Sequence, residues 1–277
     1  MAELSVPLDR LPAPSDRLTV LRDRLEELDR VVVAFSGGAD SAFLAWVAHD
    51  TLGAERATAV TAVSPSLAGF EHADCAALAE EWGLRWVEVP TDEMTQAAYQ
   101  RNDGDRCFHC KDALMDAVLP LAEAAGSVVA LGVNLDDLGD HRPGQRAASG
   151  RGAVFPLVEA GFTKDDVRSM SRELGLRTWD KPAAACLASR VPYGTEVTVS
   201  VLGRIERAEA ALHRLGLPAV RVRHYGDTAR IEVPLDDLAA LLEQREAVVT
   251  AVRRAGYGYV TLDLEGLRSG NLNQALG

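Results

Sequence analysis

An apolar run that ends in two adjacent glycines constrains this chain more than any other feature. Residues 31–35 (V-V-V-A-F) have the composition of a buried strand, and residues 42–48 (A-F-L-A-W-V-A) that of a following helix. Between them stands Ser36-Gly37-Gly38-Ala39-Asp40-Ser41. Glycines let the backbone approach phosphate oxygens, and free N–H groups at a helix start supply donors and a favourable dipole. The turn therefore predicts a phosphate site.

Asp40 is the unusual member of this turn. A carboxylate beside a phosphate is repulsive unless a metal ion bridges the two, so the sequence predicts a nucleotide with Mg²⁺. An ordinary strand-to-helix turn with a serine cap is the plain alternative. The S-G-G-x-D-S string resembles the PP-loop of the N-type ATP pyrophosphatases and lacks the Lys-Ser/Thr ending of a Walker P-loop. That resemblance implies that ATP is split between its α- and β-phosphates, giving an adenylylated substrate and pyrophosphate.

Charge and hydrophobicity exclude some classes of partner. The formal charge of −12, from 41 acidic and 29 basic residues, disfavours a broad nucleic-acid surface. No run approaches the ~20 apolar residues of a membrane span. The N-terminal segment M-A-E-L-S-V-P-L-D-R lacks the basic start and apolar core of a signal peptide. We therefore expect a cytoplasmic protein with no membrane or nucleic-acid partner.

Strand-like and helix-like patterns alternate along most of the chain. Beyond the first strand and its helix, we predict strands at 57–63, 84–89 and 127–132, and helices at 18–29, 71–82, 110–125 and 164–174. This alternation predicts an α/β fold with a doubly wound parallel sheet and ligands at the carboxyl ends of its strands.

The pattern of predicted helices and strands changes near Glu196. From there we predict a small α+β module, with helices at 201–215 and 235–255 and strands at 219–225, 228–233 and 259–262. We therefore expect a PP-loop domain of residues 1–195 and a second domain of residues 196–277. The second domain would serve substrate binding or assembly into a homo-oligomer.

The chain has four cysteines, and two of them form a C-x-x-C unit. Cys107 and Cys110 stand immediately before a predicted helix, with Arg106 and Lys111 beside them. A helix N-terminus and neighbouring cations favour thiolates, so these thiols should be reactive or ligated. A thioredoxin-like motif is excluded by context, because its partner βαβ pattern is missing. A C-x-x-C without chemical significance is the plain alternative.

Cys186 lies in a polar, proline-flanked stretch beside Arg190. Burial as a small apolar residue is the commoner fate of a free cysteine. Zinc usually takes four ligands, and Cys186 is only the third obvious one here. Three thiols suit a 4Fe–4S cluster with one open iron that takes a further ligand such as sulfide. Cys75 falls in a helix rich in alanine and leucine, and we interpret it as core.

A loop rich in carboxylates follows one predicted strand. Residues 134–144 read N-L-D-D-L-G-D-H-R-P-G, and a solvated acidic loop is the plain interpretation. However, the preceding strand would end at the same sheet edge as the PP-loop. We therefore place Asn134 and Asp137 among the residues that bind ATP and its metal.

Five segments together are similar to the LarE family, the ATP-dependent sulfur transferases of nickel-pincer nucleotide synthesis. They are S-G-G-A-D-S at 36–41, R-C-F-H-C-K at 106–111, G-V-N-L-D-D-L-G-D-H-R-P-G at 132–144, K-P-A-A-A-C-L-A-S-R-V-P-Y-G at 181–194 and Y-V-T-L-D-L-E-G-L-R-S-G-N-L-N at 259–273. The similarity runs from about residue 15 to the C-terminus. It implies that ATP and Mg²⁺ adenylylate a carboxylate of pyridinium-3,5-biscarboxylic acid mononucleotide. A sulfur nucleophile then displaces AMP to give a thiocarboxylate, and the second carboxylate follows.

The resemblance leaves two sulfur sources open. In one form of the family a single cysteine, matching Cys186, gives up its own sulfur and becomes dehydroalanine. In the other form three cysteines hold a 4Fe–4S cluster that carries a transferable sulfide. We favour the cluster on Cys107, Cys110 and Cys186, because a sacrificial enzyme needs only one thiol. The partner that reloads the sulfur is not identified by the sequence.

The substrate implied by the resemblance carries a phosphate, for which arginine is well suited. Arg221 and Arg223 alternate with apolar residues on one predicted strand, so their side chains share a face, and Arg230 lies on the strand paired with it. Arg268, in the family-like ending, is a further candidate. An exposed strand face with ordinary charges is the plain alternative. Glu209 and Asp236 are candidates for a second metal or for orienting the ligand.

Three rival functions stay open at this stage. A tRNA thiolation enzyme of the same superfamily also combines a C-x-x-C with a distant third cysteine, but the net charge and the absence of an evident RNA-binding domain count against it. An amidating synthetase is disfavoured, because no glutaminase domain is evident and three thiols would have no role. A regulatory module that senses ATP without turnover is the third rival.

Overall fold

The computed structural model describes residues 14–139, 143–182 and 185–268. The start of the chain, residues 140–142 of the acidic motif, residues 183–184 of the third motif and residues 269–273 of the family-like ending lie outside them. The chain divides into two units. The first takes its residues from Met1–Ala62, Glu71–Pro90 and Lys111–Ala184, and the second from Val63–Phe70, Thr91–Cys110 and Ala185–Gly277. Both units are thus assembled from separate stretches, and the functional boundary expected at residue 195 stays a prediction.

A four-stranded sheet is the framework of the first unit. Its strands are β1 (Val31–Ala34), β2 (Ala57–Val63), β3 (Arg85–Pro90) and β4 (Val128–Leu131), in the order β3-β2-β1-β4. β1 pairs in parallel with both β2 and β4. The predicted α/β class with a parallel sheet is confirmed. Because β1 has β2 on one side and β4 on the other, the strand order reverses at its carboxyl end, where α/β proteins bind ligands.

Helices complete both units, and their bounds in chain order are α1 Pro14–Leu28, α2 Ala39–Leu52, α3 Gly69–Trp82, α4 Ala97–Gln100, α5 Arg106–Ala124, α6 Pro143–Gly150, α7 Pro156–Glu159, α8 Lys164–Glu173, α9 Val199–Arg214, α10 Leu238–Glu243 and α11 Arg245–Arg254. Successive residues of β1 pack on opposite sides of the sheet, as strand geometry requires. Val31 and Val33 lie in a cluster with Phe43 of α2. Val32 lies in another cluster with Met115 of α5. Burial on both sides explains why β1 is a continuous apolar run.

A three-stranded sheet organises the C-terminal part of the second unit. Its strands are β5 (Arg221–Tyr225), β6 (Thr228–Glu232) and β7 (Tyr259–Leu262), in the order β5-β6-β7. β5 and β6 are antiparallel, whereas β6 and β7 are parallel. Leu212 of α9 and Val252 of α11 pack with Val222 and Ile231 of the sheet. This small sheet with its packed helices corresponds to the α+β module predicted from residue 196 onward.

Three local predictions differ from the structure. α5 begins at Arg106 and not at residue 110, because Asp103 and Asp105 form turns whose carbonyls accept from the amides of Arg106 and Phe108. The C-x-x-C unit therefore lies inside the first turns of the helix. The stretch expected to be an irregular loop contains a 3₁₀ turn, Leu135–Gly139, and helix α6. The helix predicted over 235–255 is a 3₁₀ turn followed by α10 and α11, which are separated at Gln244.

Across the described ranges, no helix combines the length and the apolar character that crossing a membrane requires.

Candidate functional site

The PP-loop closes on itself through its two serines. The hydroxyl oxygens of Ser36 and Ser41 lie 3.0 Å apart, and Ser41 Oγ also accepts from the Ser36 amide at 3.2 Å. The same hydroxyl donates to the Gly38 carbonyl at 3.1 Å. Gly37 has a φ of +70°, and a Cβ there would lie 2.8 Å from the sulfur of Cys75. The first glycine is therefore required both by its backbone conformation and by the lack of space behind it.

The loop after β4 meets the PP-loop at the carboxyl edge of the sheet. Asn134 donates through Nδ2 to Oδ1 of Asp40 at 3.0 Å. Asn134 and Asp137 also bond each other, each backbone amide donating to the other's side-chain oxygen at 3.2 Å. This meeting, across 94 residues of sequence, is the arrangement expected from two neighbouring parallel strands. The structure thus brings Asp40, Asn134 and Asp137 together.

Asp40 is an electrostatically strained carboxylate. Burial raises the pKa of Asp40, the hydrogen bond from Asn134 lowers it, and the nearby charge of Asp137 raises it again, so that the pKa lies above its ordinary value. Two carboxylates that repel each other in a half-buried site favour a bound cation. Their oxygens are the hard donors that Mg²⁺ prefers, the remaining positions being taken by phosphates and water. Within the described residues, no three His, Cys, Asp or Glu side chains form a group that holds a metal by itself.

Lys181 is a residue of this region that sequence reasoning missed. Its ammonium donates to Glu71 Oε2 at 2.7 Å and to Asp74 Oδ2 at 2.6 Å. A Cβ on Gly37 would lie 3.6 Å from Lys181 Nζ, so the ammonium stands directly beside the PP-loop. Burial lowers the pKa of Lys181, but the two carboxylates raise it more, so the side chain is charged. The sequence feature that could have indicated a role for Lys181 is its position at the start of the K-P-A-A-A-C segment.

The three cysteines of the predicted sulfur site all belong to the second unit. None of the three is in a disulfide; Cys107 is exposed, while Cys110 and Cys186 are half-buried. Cys110 and Cys186 pack against one apolar cluster that includes Tyr99 and Leu187. Burial raises the pKa of the Tyr99 phenol, and the thiols of Cys186 and Cys110 raise it further. Cys110 and Cys186 therefore share neighbours, whereas the three cysteines do not form a group that could hold a metal among the described residues.

Arg106 is the charged residue at these thiols. Its side chain is 5% exposed, and it donates to Asn102 Oδ1 and, at 2.9 Å, to the Ala188 carbonyl. Burial lowers the pKa of Arg106, whereas the thiols of Cys186 and Cys107 raise it, with a net rise. The guanidinium therefore stays charged beside the cysteines.

A buried carboxylate lies in the same unit. Glu93 is 2% exposed and accepts through Oε1 from the hydroxyls of Ser64 and Ser66. The carbonyl of Ser66 accepts from the amide of Leu187 at 2.8 Å. The segment before α3 thus supports the turn that follows Cys186. Nothing in the local sequence around Glu93 marked it as buried, because its partners come from 27 to 29 residues away.

Two of the predicted phosphate arginines form a buried ion-pair network. Arg223 and Arg230 stand opposite each other on β5 and β6, as predicted from the paired strands. Glu232, with no exposed surface, accepts from Arg223 Nη2 at 2.8 Å and from Arg230 Nη2 at 3.0 Å. Arg230 also faces Asp263 at 3.4 Å. Much of the charge of both arginines is therefore balanced by protein carboxylates.

Arg221 lies on the same face of β5 in a different electrostatic setting. Burial lowers the pKa of Arg221, and the neighbouring cations Arg190 and Arg223 lower it further, outweighing Glu232 and Glu209. Crowded cations of this kind mark a place where an anion is stabilised. Arg221 thus has neighbouring cations whose effect on its pKa exceeds that of the nearby carboxylates.

The remaining predicted residues have different surroundings. Arg268 forms a surface ion pair with Glu265 and accepts through its carbonyl a 3.5 Å hydrogen bond from Arg221. Glu209 is fully buried and accepts from Arg190 at 2.9 Å and from the Val222 amide at 2.8 Å. These bonds hold Glu209 in the packing of α9 on β5. Asp236 lies in the 3₁₀ turn Leu235–Asp237, apart from these bonds.

Comparisons with known proteins show what this chain is similar to. The family model described as NAD synthase matches residues 15–117, which include the PP-loop. A protein of Synechocystis sp. that has no assigned activity is 47% identical over 94% of this chain and 98% of its own length. The pyridinium-3,5-bisthiocarboxylic acid mononucleotide synthase of Lactiplantibacillus plantarum is 39% identical over 91% of this chain and 92% of its own. The glutamine-dependent NAD(+) synthetase of Aquifex aeolicus is 33% identical over 31% of this chain and 16% of its own.

Proposed function

Because this chain belongs to the LarE family and is an ATP-dependent, sulfur-transferring enzyme of the PP-loop superfamily, we propose that its substrate is pyridinium-3,5-biscarboxylic acid mononucleotide. The family resemblance expected from the sequence is confirmed by the relative in Lactiplantibacillus plantarum, which is a synthase of the bisthiocarboxylic acid mononucleotide. The reaction would convert each ring carboxylate into a thiocarboxylate, with AMP and pyrophosphate released. A cytoplasmic location and a homo-oligomeric state stay predictions.

The contact between Asp40 and Asn134 is the observation that carries the ATP half of this proposal. A carboxylate O⁻ is a poor leaving group, so sulfur transfer to a carboxylic acid requires prior activation, which adenylylation supplies. Ser36, Ser41 and the amides of Gly37 and Gly38 would hold the ATP phosphates. Mg²⁺, when bound by Asp40 with Asp137 close by, would stabilise the charge of the departing pyrophosphate.

The sulfur source rests on the thiols of the second unit. The donor set fits a 4Fe–4S cluster in its chemistry, since three thiolates are the protein ligands of a cluster with one open iron. Cys110 and Cys186 pack against one apolar cluster, and Cys186 and Cys107 act on the charge of Arg106. Cys107, Cys110 and Cys186 would hold the cluster, which when bound would supply a transferable sulfide. The sacrificial alternative uses Cys186 alone. We favour the cluster because all three thiols belong to one unit while the fourth, Cys75, is buried in the other.

The mononucleotide phosphate would bind at the β5 face. Arg190 and Arg223 act on Arg221 more strongly than Glu232 and Glu209 do, and a dianionic phosphate would relieve the repulsion among the three cations. Arg223 and Arg230 would support it from their ion pairs with Glu232, and Arg268 is the outermost candidate. The two ring carboxylates are then free to be recognised elsewhere.

Pyrophosphate release tests the activity directly. We expect pyrophosphate only when ATP, Mg²⁺ and the pyridinium substrate are all present, and a product whose mass rises by about 16 units for each oxygen replaced by sulfur. Asp40→Ala should abolish release, whereas Asp180→Ala, at an exposed site, should leave it unchanged. Pyrophosphate release stimulated by tRNA, and not by the pyridinium compound, would move the assignment to tRNA thiolation. Nucleotide binding without any release would make the chain an ATP sensor.

Iron analysis of anaerobically purified protein separates the two sulfur sources. We expect about four irons per chain, lost in Cys107→Ser, Cys110→Ser and Cys186→Ser but kept in Cys75→Ala. Cys75 is the matched control because it is the buried thiol of the first unit. An iron-free protein that loses the mass of one H₂S at Cys186 after a turnover would instead establish the sacrificial route.

A further inference from the structure

Arg106 is a buried cation without a carboxylate partner in the described part of the chain. It is 5% exposed, and both of its hydrogen bonds use Nη1, one to Asn102 Oδ1 and one to the Ala188 carbonyl. The edge formed by Nε and Nη2 therefore makes no hydrogen bond to a described residue. Buried arginines are ordinarily paired, because removing a charge from water is unfavourable unless an opposite charge or hydrogen bonds compensate it.

Other buried arginines of the same unit follow that rule. Arg190 faces Glu209 at 2.9 Å and Arg223 faces Glu232 at 2.8 Å, and both glutamates are fully buried. Arg106 differs because the groups that act on its charge are thiols and phenols and not carboxylates. Its guanidinium carbon lies 5.7 Å from the centroid of the Tyr193 ring. Its charge is thus stabilised by thiols and phenols, and its Nε–Nη2 edge has no anionic acceptor among the described residues.

Two further features of this position favour an anion. Arg106 is the first residue of α5, a helix of 19 residues, whose N-terminal amides and dipole attract negative charge. Arg106 directly precedes Cys107 and donates to the carbonyl of Ala188, two residues after Cys186, so an anion bound there would lie near these thiols. The Nε–Nη2 edge of a guanidinium matches two neighbouring acceptor atoms of a planar anion, which a monatomic anion does not offer.

We propose that Arg106 forms a subsite for a planar carboxylate-class anion beside Cys186 and Cys107. The identity of that anion rests on the proposed function: it is a ring carboxylate of the substrate or the thiocarboxylate that replaces it. Arg106 would then hold one ring substituent at the sulfur site. In this role it is a substrate-binding residue, distinct from the arginines of β5.

Charge-selective alkylation of the thiols tests the subsite. Reduced, metal-free full-length protein is treated with iodoacetate, a carboxylate, or with iodoacetamide, its neutral analogue, and Cys186 and Cys107 are followed by peptide mass spectrometry. Both reagents attack the same thiolate, so the ratio of their rates cancels the thiolate fraction. We expect the ratio at Cys186 to exceed that of glutathione by about fivefold or more, because Arg106 binds the carboxylate of the reagent.

Variants of Arg106 identify the source of the selectivity. Arg106→Gln should lower the rate ratio to that of glutathione. Arg106→Lys should keep part of the selectivity, since the positive charge remains but the paired N–H donors of the guanidinium are lost. Circular dichroism and thermal melting check that each variant is folded, because Nη1 supports Asn102 and Ala188. If the iodoacetate-to-iodoacetamide rate ratio at Cys186 in the wild type equals that of glutathione, the subsite is rejected without recourse to any variant. An unchanged ratio in folded Arg106→Gln would also reject it.

A competition experiment separates this inference from the proposed substrate. Pyridine-3,5-dicarboxylate carries the two ring carboxylates without the ribose phosphate, and we expect it to protect Cys186 from iodoacetate in the wild type but not in Arg106→Gln. Selectivity for iodoacetate without such protection would reject the pyridinium dicarboxylate as substrate while still supporting an anion subsite. Loss of both would reject the subsite itself.

Discussion

Gly132 lies so close to the backbone of Ser41 that a Cβ on the glycine would stand 2.7 Å from the Ser41 nitrogen. The same Cβ would lie 2.9 Å from the carbonyl carbon of Asp40. These are backbone atoms, so Gly132→Ala can be accommodated only by displacing the PP-loop. We expect a loss of about 1–3 kcal/mol in the free energy of unfolding and a roughly tenfold weaker ATP affinity. Calorimetric titration with ATP and thermal melting measure the two effects.

The matched control for that substitution is Gly150→Ala. Gly150 ends α6, no atom lies within 4 Å of the position its Cβ would take, and its φ is not positive. We expect a change in stability within about 0.5 kcal/mol and unaltered ATP affinity. Equal effects of the two substitutions would show that Gly132 does not set the position of the loop.

Replacing Asp40 by Asn should stabilise the nucleotide-free, metal-free protein at neutral pH while abolishing catalysis. Burial raises the pKa of Asp40, so the folded protein holds this proton to a higher pH than the unfolded chain does. Stability is therefore lost as pH rises from the ordinary carboxyl value through the raised pKa, and the full penalty is present at neutral pH. Asn carries no charge and keeps an oxygen to accept from Asn134.

Thermal melting of both proteins across that range measures this effect. The melting temperature of Asp40→Asn should exceed that of the wild type at neutral pH and converge with it below pH about 4. Asp180→Asn, at an exposed position, should show no such difference. A less stable Asp40→Asn at neutral pH would mean that the carboxylate is compensated in the folded protein.

The sequence was informative where function depends on local pattern and on strand topology. The PP-loop is a continuous string, and the meeting of Asp40 with Asn134 follows from two parallel neighbours ending at one edge. Neither the environment of Arg106 nor that of Lys181 could be predicted in this way. Their partners, such as Ala188 and Glu71, are 82 and 110 residues away in the chain and become neighbours only through the packing of separate segments.

The environments of the β5 and β6 arginines likewise could not be predicted from the sequence. Periodicity places Arg221, Arg223 and Arg230 correctly on two paired strands, but it does not reveal that Glu232 is buried between two of them. Similarly, the helix carrying the C-x-x-C unit was predicted to begin at residue 110. The helix starts earlier, because the backbone carbonyls of Asp103 and Asp105 accept from the amides of Arg106 and Phe108.

Cys75 should resist alkylation in the native protein although it adjoins the PP-loop. Burial raises its pKa to about 11, outweighing the effects of Thr61 and Lys181, and its side chain has no exposed surface. In metal-free, reduced protein at pH about 8 we expect iodoacetamide to label Cys107 and to leave Cys75 unmodified. All four thiols should be labelled after denaturation. Labelling of Cys75 at a rate near that of Cys107 would show that the region behind Gly37 opens in solution.

Substitution by methionine should destabilise the protein far more at Arg223 than at Arg221, although the two arginines share one face of β5. Arg223→Met removes an ion-pair partner of the buried Glu232, so we expect a loss of about 3–5 kcal/mol in the free energy of unfolding. Arg221→Met removes a cation whose pKa is lowered by burial and by two neighbouring arginines, so we expect a change within about 1 kcal/mol in the free energy of unfolding.

Nicotinic acid mononucleotide should raise the melting temperature of the wild type, and Arg221→Met should bind it about tenfold or more weakly. Unchanged affinity in folded Arg221→Met would exclude this face of β5 as the phosphate site.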